Sequence, residues 1–397
     1  MRRTSSWGIT SAGLAAVLAL SGCGGSTHSH STTASTPTAS TPLTVSTRTS
    51  PTTTGGTTTS TAPSGGPVPA GTEATSVTFI SPTTAFILGT APCDAQPCSA
   101  ILRTTDRGAH WVGLPAPRET VSYNLGDGLW GLRFADAEHG YAFGQGLWET
   151  SNGGGSWKQA TPPAPTVLSL EAVQDRELVA VAQTCAPGQG CGHQIGLYHT
   201  AIGGSWAPVA SVKTFFNDAS IAVHGSVVWA LAGPNLYVST DGGSTFRSES
   251  PPCTTQLGQP DSVTDDGAHV YLLCSGNGAA GSTEKWVYRS TGPGSPWVLV
   301  GRPPLGGDGG QISAGSDNSI VIATYSAASL LYRSTDGGHT WKTVLTEDDG
   351  GAGWSDLGFT TPTDAVVVHG PAVGGSQRPG QVLLSEDGGR TWRAAGF

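Results

Sequence analysis
The pattern Ser/Thr-x-Asp-x-Gly-x-x-Trp recurs along this chain, and a repeated turn of this kind restricts the fold more than any overall property does. Intact or nearly intact copies run Thr104–Trp111, Thr150–Trp157 (Asn152 in the Asp position), Ser239–Phe246 (Phe in the Trp position), Ser334–Trp341 and Ser385–Trp392. Two decayed copies, Thr200–Trp206 and Ser290–Trp297, fill the gaps between them. The seven starts, at residues 104, 150, 200, 239, 290, 334 and 385, lie 39 to 51 residues apart. Two places before each start stands a large residue: Leu102, Trp148, Tyr198, Tyr237, Tyr288, Tyr332 and Leu383. Each copy reads as a β-hairpin turn. The side chain of Asp106, Asn152, Asp241, Asp336 or Asp387 accepts hydrogen bonds from turn amides, and the Gly takes a positive φ. The Trp then returns on the following strand and packs into the core.

The stretch before each turn also alternates like paired strands. Ser76–Ile80 and Ala85–Leu88 flank one turn, Gly131–Phe134 and Gly140–Phe143 a second, and Leu357–Phe359 and Ala365–Val368 a third. The repeat resembles the Asp-box, or BNR repeat, of sialidases, sortilin-like receptors and photosystem assembly factors. Leu132–Trp157 is most similar to the photosystem-assembly type. The resemblance implies an all-β fold: a seven-bladed β-propeller of four-stranded antiparallel blades, with Asp-box hairpins joining the third and fourth strands. Residues 74–397 supply about 46 residues per blade, enough for four short strands. The first and last repeats both look complete, so strand exchange at the ring closure is not evident, and residues 70–75 are left as a candidate extra outer strand.

Residues 1–22 read as a lipoprotein signal peptide. Arg2 and Arg3 precede an apolar stretch from Ile9 to Leu20, too short to span a bilayer comfortably. Leu20-Ser-Gly-Cys23 resembles a lipobox, which implies acylation of Cys23 and export to the outer face of the bacterial cytoplasmic membrane or cell envelope. An ordinary cleaved signal with a chance Cys is the alternative. Of residues 24–70, 37 are Ser, Thr, Pro or Gly and the only charge is Arg48. Such a segment cannot bury enough apolar surface to offset its ordering entropy, so residues 23–73 are expected to form a disordered stalk anchored at Cys23. The lipid is the only expected membrane contact. With a net charge of −9 and no Lys/Arg run beyond the N-terminus, nucleic acid is not an expected partner.

In the BNR family the loops opposite the Asp-box turns carry ligands, and the remaining six Cys map to that face. Local spacing favours the pairs Cys93–Cys98, Cys185–Cys191 and Cys253–Cys274 among fifteen possible connectivities, in an exported chain where disulfides persist. A Cys-x4-Cys zinc site is the alternative at the short spacings, and no metal or cofactor is expected. The candidate ligand-face residues are Arg118, Glu119, Tyr123, Trp130 and Arg133 around blade 2, and Glu347, Asp348, Asp349 and Trp354 leading into blade 7. Aromatics near acids at a channel mouth suit a sugar or a peptide. The alternative is that both Trp residues simply pack between blades.

Two functional classes follow. One is a glycoside hydrolase, sialidase-like or another glycosidase, using carboxylates at the channel mouth; the sialidase type needs a Tyr–Glu nucleophile pair, an Asp acid/base and three Arg residues on the substrate carboxylate. Yet Arg103, Arg289 and Arg333 all sit just before an Asp-box, and the Phe-Arg-Ile-Pro segment is missing. A non-catalytic propeller binding an envelope protein, peptide or glycan accounts for more of the chain. It is expected to be a monomer with no catalytic residues.

Overall fold
The computed structural model describes residues 63–94, 98–122, 127–174, 177–184, 194–214, 219–253, 258–279, 281–370 and 380–397, all within one compact unit, Thr59–Phe397. Twenty-eight strands form seven four-stranded antiparallel sheets, and no α-helix occurs among the described residues. Within each sheet the spatial order follows the chain order, so every blade is a simple meander. The first strands are Glu73–Phe79, Leu129–Phe134, Thr166–Val173, Ala219–His224, Gln259–Asp265, Asp308–Ser316 and Trp354–Phe359. Each touches the first strand of its neighbour around the ring, and the seven together line an axial channel. The chain is therefore an all-β seven-bladed propeller.

The repeated turns have one hydrogen-bond scheme. In blade 4, Ser239 Oγ donates to Asp241 Oδ1 at 2.7 Å and accepts from the Gly243 amide at 2.8 Å, while Asp241 Oδ1 accepts from the Thr245 amide at 2.9 Å. The turns of blades 1, 2, 6 and 7 repeat these bonds, with Asn152 Oδ1 replacing the carboxylate in blade 2. The residue after the Asp also adopts a left-handed conformation. It is Gly242 in blade 4, whereas blade 1 places Arg107 there at φ 63°. Its amide reaches the turn between the first and second strands of the same blade: Arg107 to the Thr83 carbonyl, Gly242 to the Ser226 carbonyl. These bonds put both sets of turns on one face of the ring.

Apolar seams join the blades, and the aromatic of each repeated turn closes the seam to the preceding blade. Trp111 packs with Val366 and Leu384 of blade 7, Trp157 with the blade 1–2 cluster, and Trp206 with the blade 2–3 cluster. Phe246, Trp297, Trp341 and Trp392 continue the series. Of these seven aromatics only Trp111 is buried; the others are half-buried. The expectation of a core Trp is thus corrected. The residue follows the turn at the outer end of the blade, so one side of its ring meets the seam while the other meets solvent. The turn glycine faces the same seam, because a Cβ on Gly243 would lie 2.2 Å from Val179 Cγ2 of blade 3.

The ring closes without strand exchange. Blade 7 supplies its own four strands, and the Ala74 amide donates to the Gly380 carbonyl at 2.9 Å across the closing seam. Residues 70–75 do not form an outer strand, since Glu73–Phe79 is the inner strand of blade 1. The outer edge of blade 1 is instead met by the segment before it. Gly66 and Gly113 exchange amide–carbonyl bonds of 2.8 and 2.9 Å, and Arg103 Nη2 donates to the Pro63 carbonyl at 2.6 Å. Pro63 also lies beside the Gly153 turn of blade 2. The described chain therefore starts on the repeated-turn face and crosses to the opposite rim before blade 1 begins. Covering that strand edge also removes a site of unwanted pairing.

Two outcomes are expected. Gly243→Ala adds a methyl against Val179 at φ 94° and should lower unfolding free energy by about 1–3 kcal/mol. Gly146→Ala, with open space around it, should stay within about 0.5 kcal/mol when both are read from urea midpoints. The second outcome concerns acid. Bonds from the His110 amide, the His110 ring and Thr104 hold the Asp106 carboxyl at about 2. The Thr340 hydroxyl and amide do the same for Asp336, against a small opposing effect of burial. Both lie below the ordinary 3.8, so their contribution is present above pH 3.8 and is lost as pH falls towards about 2. An Asp106→Asn/Asp336→Asn double variant, copying the amide already used at Asn152, should flatten the melting temperature against pH in that window.

Candidate binding site at the axial channel
The channel is a cavity of about 1540 Å³ lined by the first strands of all seven blades. Its charged lining residues are Arg133, Glu171, Asp261, Asp265, Asp308 and Asp356. They fall into two groups on opposite arcs of the ring.

On the arc of blades 7, 1, 2 and 3, Arg133 is fully engaged. Its Nε donates to Glu171 Oε1 at 2.6 Å, its Nη2 to Asp356 Oδ1 at 2.9 Å, and its Nη1 to the Leu132 carbonyl at 2.7 Å. The other carboxylate oxygen of Asp356 accepts from Ser76 Oγ at 2.5 Å and from the Val77 amide at 2.8 Å. Ser76 Oγ in turn accepts from the Leu132 amide at 3.0 Å. Asp356 holds φ 49°, a strained conformation for a non-glycine residue, and its carboxylate joins the last blade to the first two. Burial alone would make Arg133 less basic, but the carboxylates of Asp356 and Glu171 outweigh it and push its pKa up. Burial pushes the Glu171 carboxyl up, against the pull of Arg133.

On the arc of blades 5 and 6, Asp308 Oδ1 accepts from Thr283 Oγ1 at 2.9 Å, and Ser275 Oγ donates to Asp261. Behind them lies Lys285, 1% exposed, whose ammonium donates to the carbonyls of Thr283, Leu305 and Gly307 at 2.8–3.0 Å. Burial brings its pKa down to about 8, although Asp308 and Asp261 pull the other way. Lys285 thus fixes the loop before Asp308 and does not reach the cavity. At the far end of its strand, Asp265 accepts from Trp229 Nε1 at 3.2 Å and the Gly267 amide at 2.8 Å.

Three of the candidate ligand-face residues line the channel: Trp130, Arg133 and Trp354. Trp130 is half-buried and packs against the blade 2–3 seam. Trp354 is 5% exposed, donates from Nε1 to the Thr324 carbonyl at 2.9 Å, and lies 4.5 Å from the His369 ring. Its packing between blades 6 and 7 matches the simple seam alternative. Arg118, Glu119 and Asp348 are exposed on loops outside the channel lining, and Glu347 ends an outer strand, Lys342–Glu347. The Asp349 side chain is buried, with Oδ2 2.6 Å from His369 Nε2 and Oδ1 on the Gly351 amide at 2.9 Å. It is a turn-forming carboxylate. Tyr123 lies outside the described residues.

Cys253 and Cys274 form a disulfide with Cα atoms 5.8 Å apart, beside the channel. Cys93 is also disulfide-bonded, while the side chain of Cys98 and the residues Cys185 and Cys191 lie outside the described set. On the repeated-turn face, Asp266, His269 and Asp317 bring ligand atoms within 4.8 Å of one another. Asp317 there already accepts from Tyr271 and faces Arg289 at 3.6 Å, which makes it a paired turn acid.

Glu171, Asp261, Asp265, Asp308 and Asp356 escaped sequence reasoning. Each stands within or at the end of a first strand, and the signal available was an acid interrupting an inner-strand pattern, as in Trp354-Ser-Asp-Leu-Gly-Phe359.

No protein-family model matches the chain. A xyloglucanase from Paenibacillus sp. is 25% identical over 268 residues, covering 63% of this chain and 24% of that protein. The chain thus spans about a quarter of that relative's length. A solved structure described as YCF48 bound to D1 peptide aligns over 81% of this chain and 95% of its own, at 16% identity and a TM-score of 0.54. YCF48 from Cyanidioschyzon merolae aligns over 71% and 87%, at 17% identity and a TM-score of 0.46. The likeness to the first of these structures is one of fold.

Arg133→Met should lower unfolding free energy by about 3–5 kcal/mol, because Glu171 and Asp356 would then face each other without a cation. Arg118→Ala, exposed and outside this network, should stay within about 0.5 kcal/mol in the same urea titration.

Proposed function
We propose that this chain is a non-catalytic binding scaffold, exported and anchored through a lipid on Cys23. Its axial channel and loop face receive a segment of an envelope protein. The observation that carries this reading is the channel itself: about 1540 Å³, larger than the 300–1,000 Å³ usual for a small-molecule site. Its single guanidinium is consumed by two carboxylates of the same chain. A substrate carboxylate would meet no available Arg among the described lining residues, which weakens the sialidase comparison. The D1 peptide named with the similar YCF48 propeller gives a precedent for a peptide on this fold. The entry of the chain on the repeated-turn face supports the same reading, since a tether there leaves the loop face open.

A glycosidase is the second reading. The likeness to a xyloglucanase favours it, together with carboxylates gathered in one cavity. A glycan ligand without hydrolysis is a further form of the binding reading.

The wild-type chain should partition with membranes, and Cys23→Ser should release it to the soluble fraction. That soluble full-length variant should liberate no reducing sugar from xyloglucan and no sialic acid from sialosides. Turnover that disappears in Asp261→Asn or Asp308→Asn, with the melting curve still showing a folded protein, would establish the enzyme instead.

A further inference from the structure
We propose that the segment received by the channel is cationic, an extended peptide presenting Lys or Arg side chains to the arc formed by blades 5 and 6. This rests on the binding reading above and specifies its ligand.

Charge complementarity is the ground. Among the described residues five carboxylates and one guanidinium line the cavity, and that guanidinium is held between Glu171 and Asp356 at 2.6 and 2.9 Å. Lys285, behind the wall, is buried and spends its three donors on backbone carbonyls, while Asp308 and Asp261 act on it only through space. Neither cation can neutralise Asp308 by direct contact. Asp308 is exposed on the cavity wall and flanked by Gly306, Gly307, Gly309 and Gly310, so no neighbouring side chain in its loop screens it. Thr283 holds one of its oxygens, which orients the carboxylate before any ligand arrives. Asp261 stands near it on the adjacent first strand: a Cβ on Gly309 would lie 3.5 Å from Asp261 Oδ2. Asp265, at the other end of the same strand, extends the negative lining along the axis. Low-dielectric walls concentrate such a field and draw cations in.

The two lining Trp residues offer little stacking surface to a neutral sugar. Trp354 is buried against His369 and bonded to Thr324, so its face is not offered as a stacking platform. Trp130 is partly used in the blade 2–3 seam. A peptide also suits a cavity of about 1540 Å³, too large for a single small molecule.

The test uses the full chain carrying Cys23→Ser and three labelled nonapeptides, alternating Lys/Ser, alternating Glu/Ser and all Ser, read by fluorescence anisotropy. The Lys/Ser peptide should bind, should weaken as salt is raised, and should lose at least about tenfold in affinity with Asp308→Asn. Asparagine keeps an oxygen for the Thr283 hydroxyl, so this variant should remain folded at the assay temperature, which its melting curve checks. Asp261→Asn/Asp308→Asn should lose more. Equal binding of the Glu/Ser peptide, or Lys/Ser binding indifferent to salt and to both variants, would overturn the cationic assignment while leaving a peptide scaffold standing. If no peptide binds but an envelope protein is still captured, the cationic assignment alone fails. Absence of both would remove the binding reading as well.

Discussion
Every blade of this protein leans on the blade before it, and the contact that makes this possible is the repeated turn. In five of the seven blades a hydroxyl from Ser or Thr, the side chain of Asp or Asn, and the amide of a glycine close the turn with three bonds of 2.7–3.0 Å. The closure brings the glycine within methyl distance of the preceding blade and swings the next aromatic over the same seam. Individually these are ordinary contacts. Repeated around a ring, they let sheets too small to stand alone share one continuous apolar layer.

A ring built from neighbour contacts still has to join its ends. The apolar seam between blades 7 and 1 is like the others, with Trp111 closing it. The polar connection is particular to this site. Asp356, held at a left-handed φ, binds the Ser76 hydroxyl and the Val77 amide on one oxygen and Arg133 on the other. Since both termini of the ring and blade 2 meet at this carboxylate, it fixes how far the inner strands can splay. Breaking the arginine pairing would leave buried charge behind, which costs more than the pair itself gains.

The same arrangement shapes what the channel can offer. Among the described lining residues Arg133 is the one positive group, and structure has claimed it. On the opposite arc Asp308 accepts the Thr283 hydroxyl and is exposed on the cavity wall, with Lys285 spent on the backbone behind it. Stability chemistry and binding chemistry are therefore divided between two sides of one channel.

The sequence by itself determined the architecture. Turn residues and strand alternation are local, so the seven turn starts from Thr104 to Ser385 were enough to count blades, and their resemblance to the Asp-box repeat implied that the turns share one face. The Cys253–Cys274 bridge was legible for the same reason, being short in sequence. The site was less so. Arg133 was recognised, but its partners Glu171 and Asp356 lie 38 and 223 residues away, on strands that become neighbours only when the ring closes. Asp349 looked like a free acid in a loop until His369 was brought to 2.6 Å from it. The half-buried state of the turn aromatics was likewise a matter of radial position in the blade. Which charges cancel, and which remain facing the axis, depends on seven distant strands converging on one line, and only the tertiary structure brings them there.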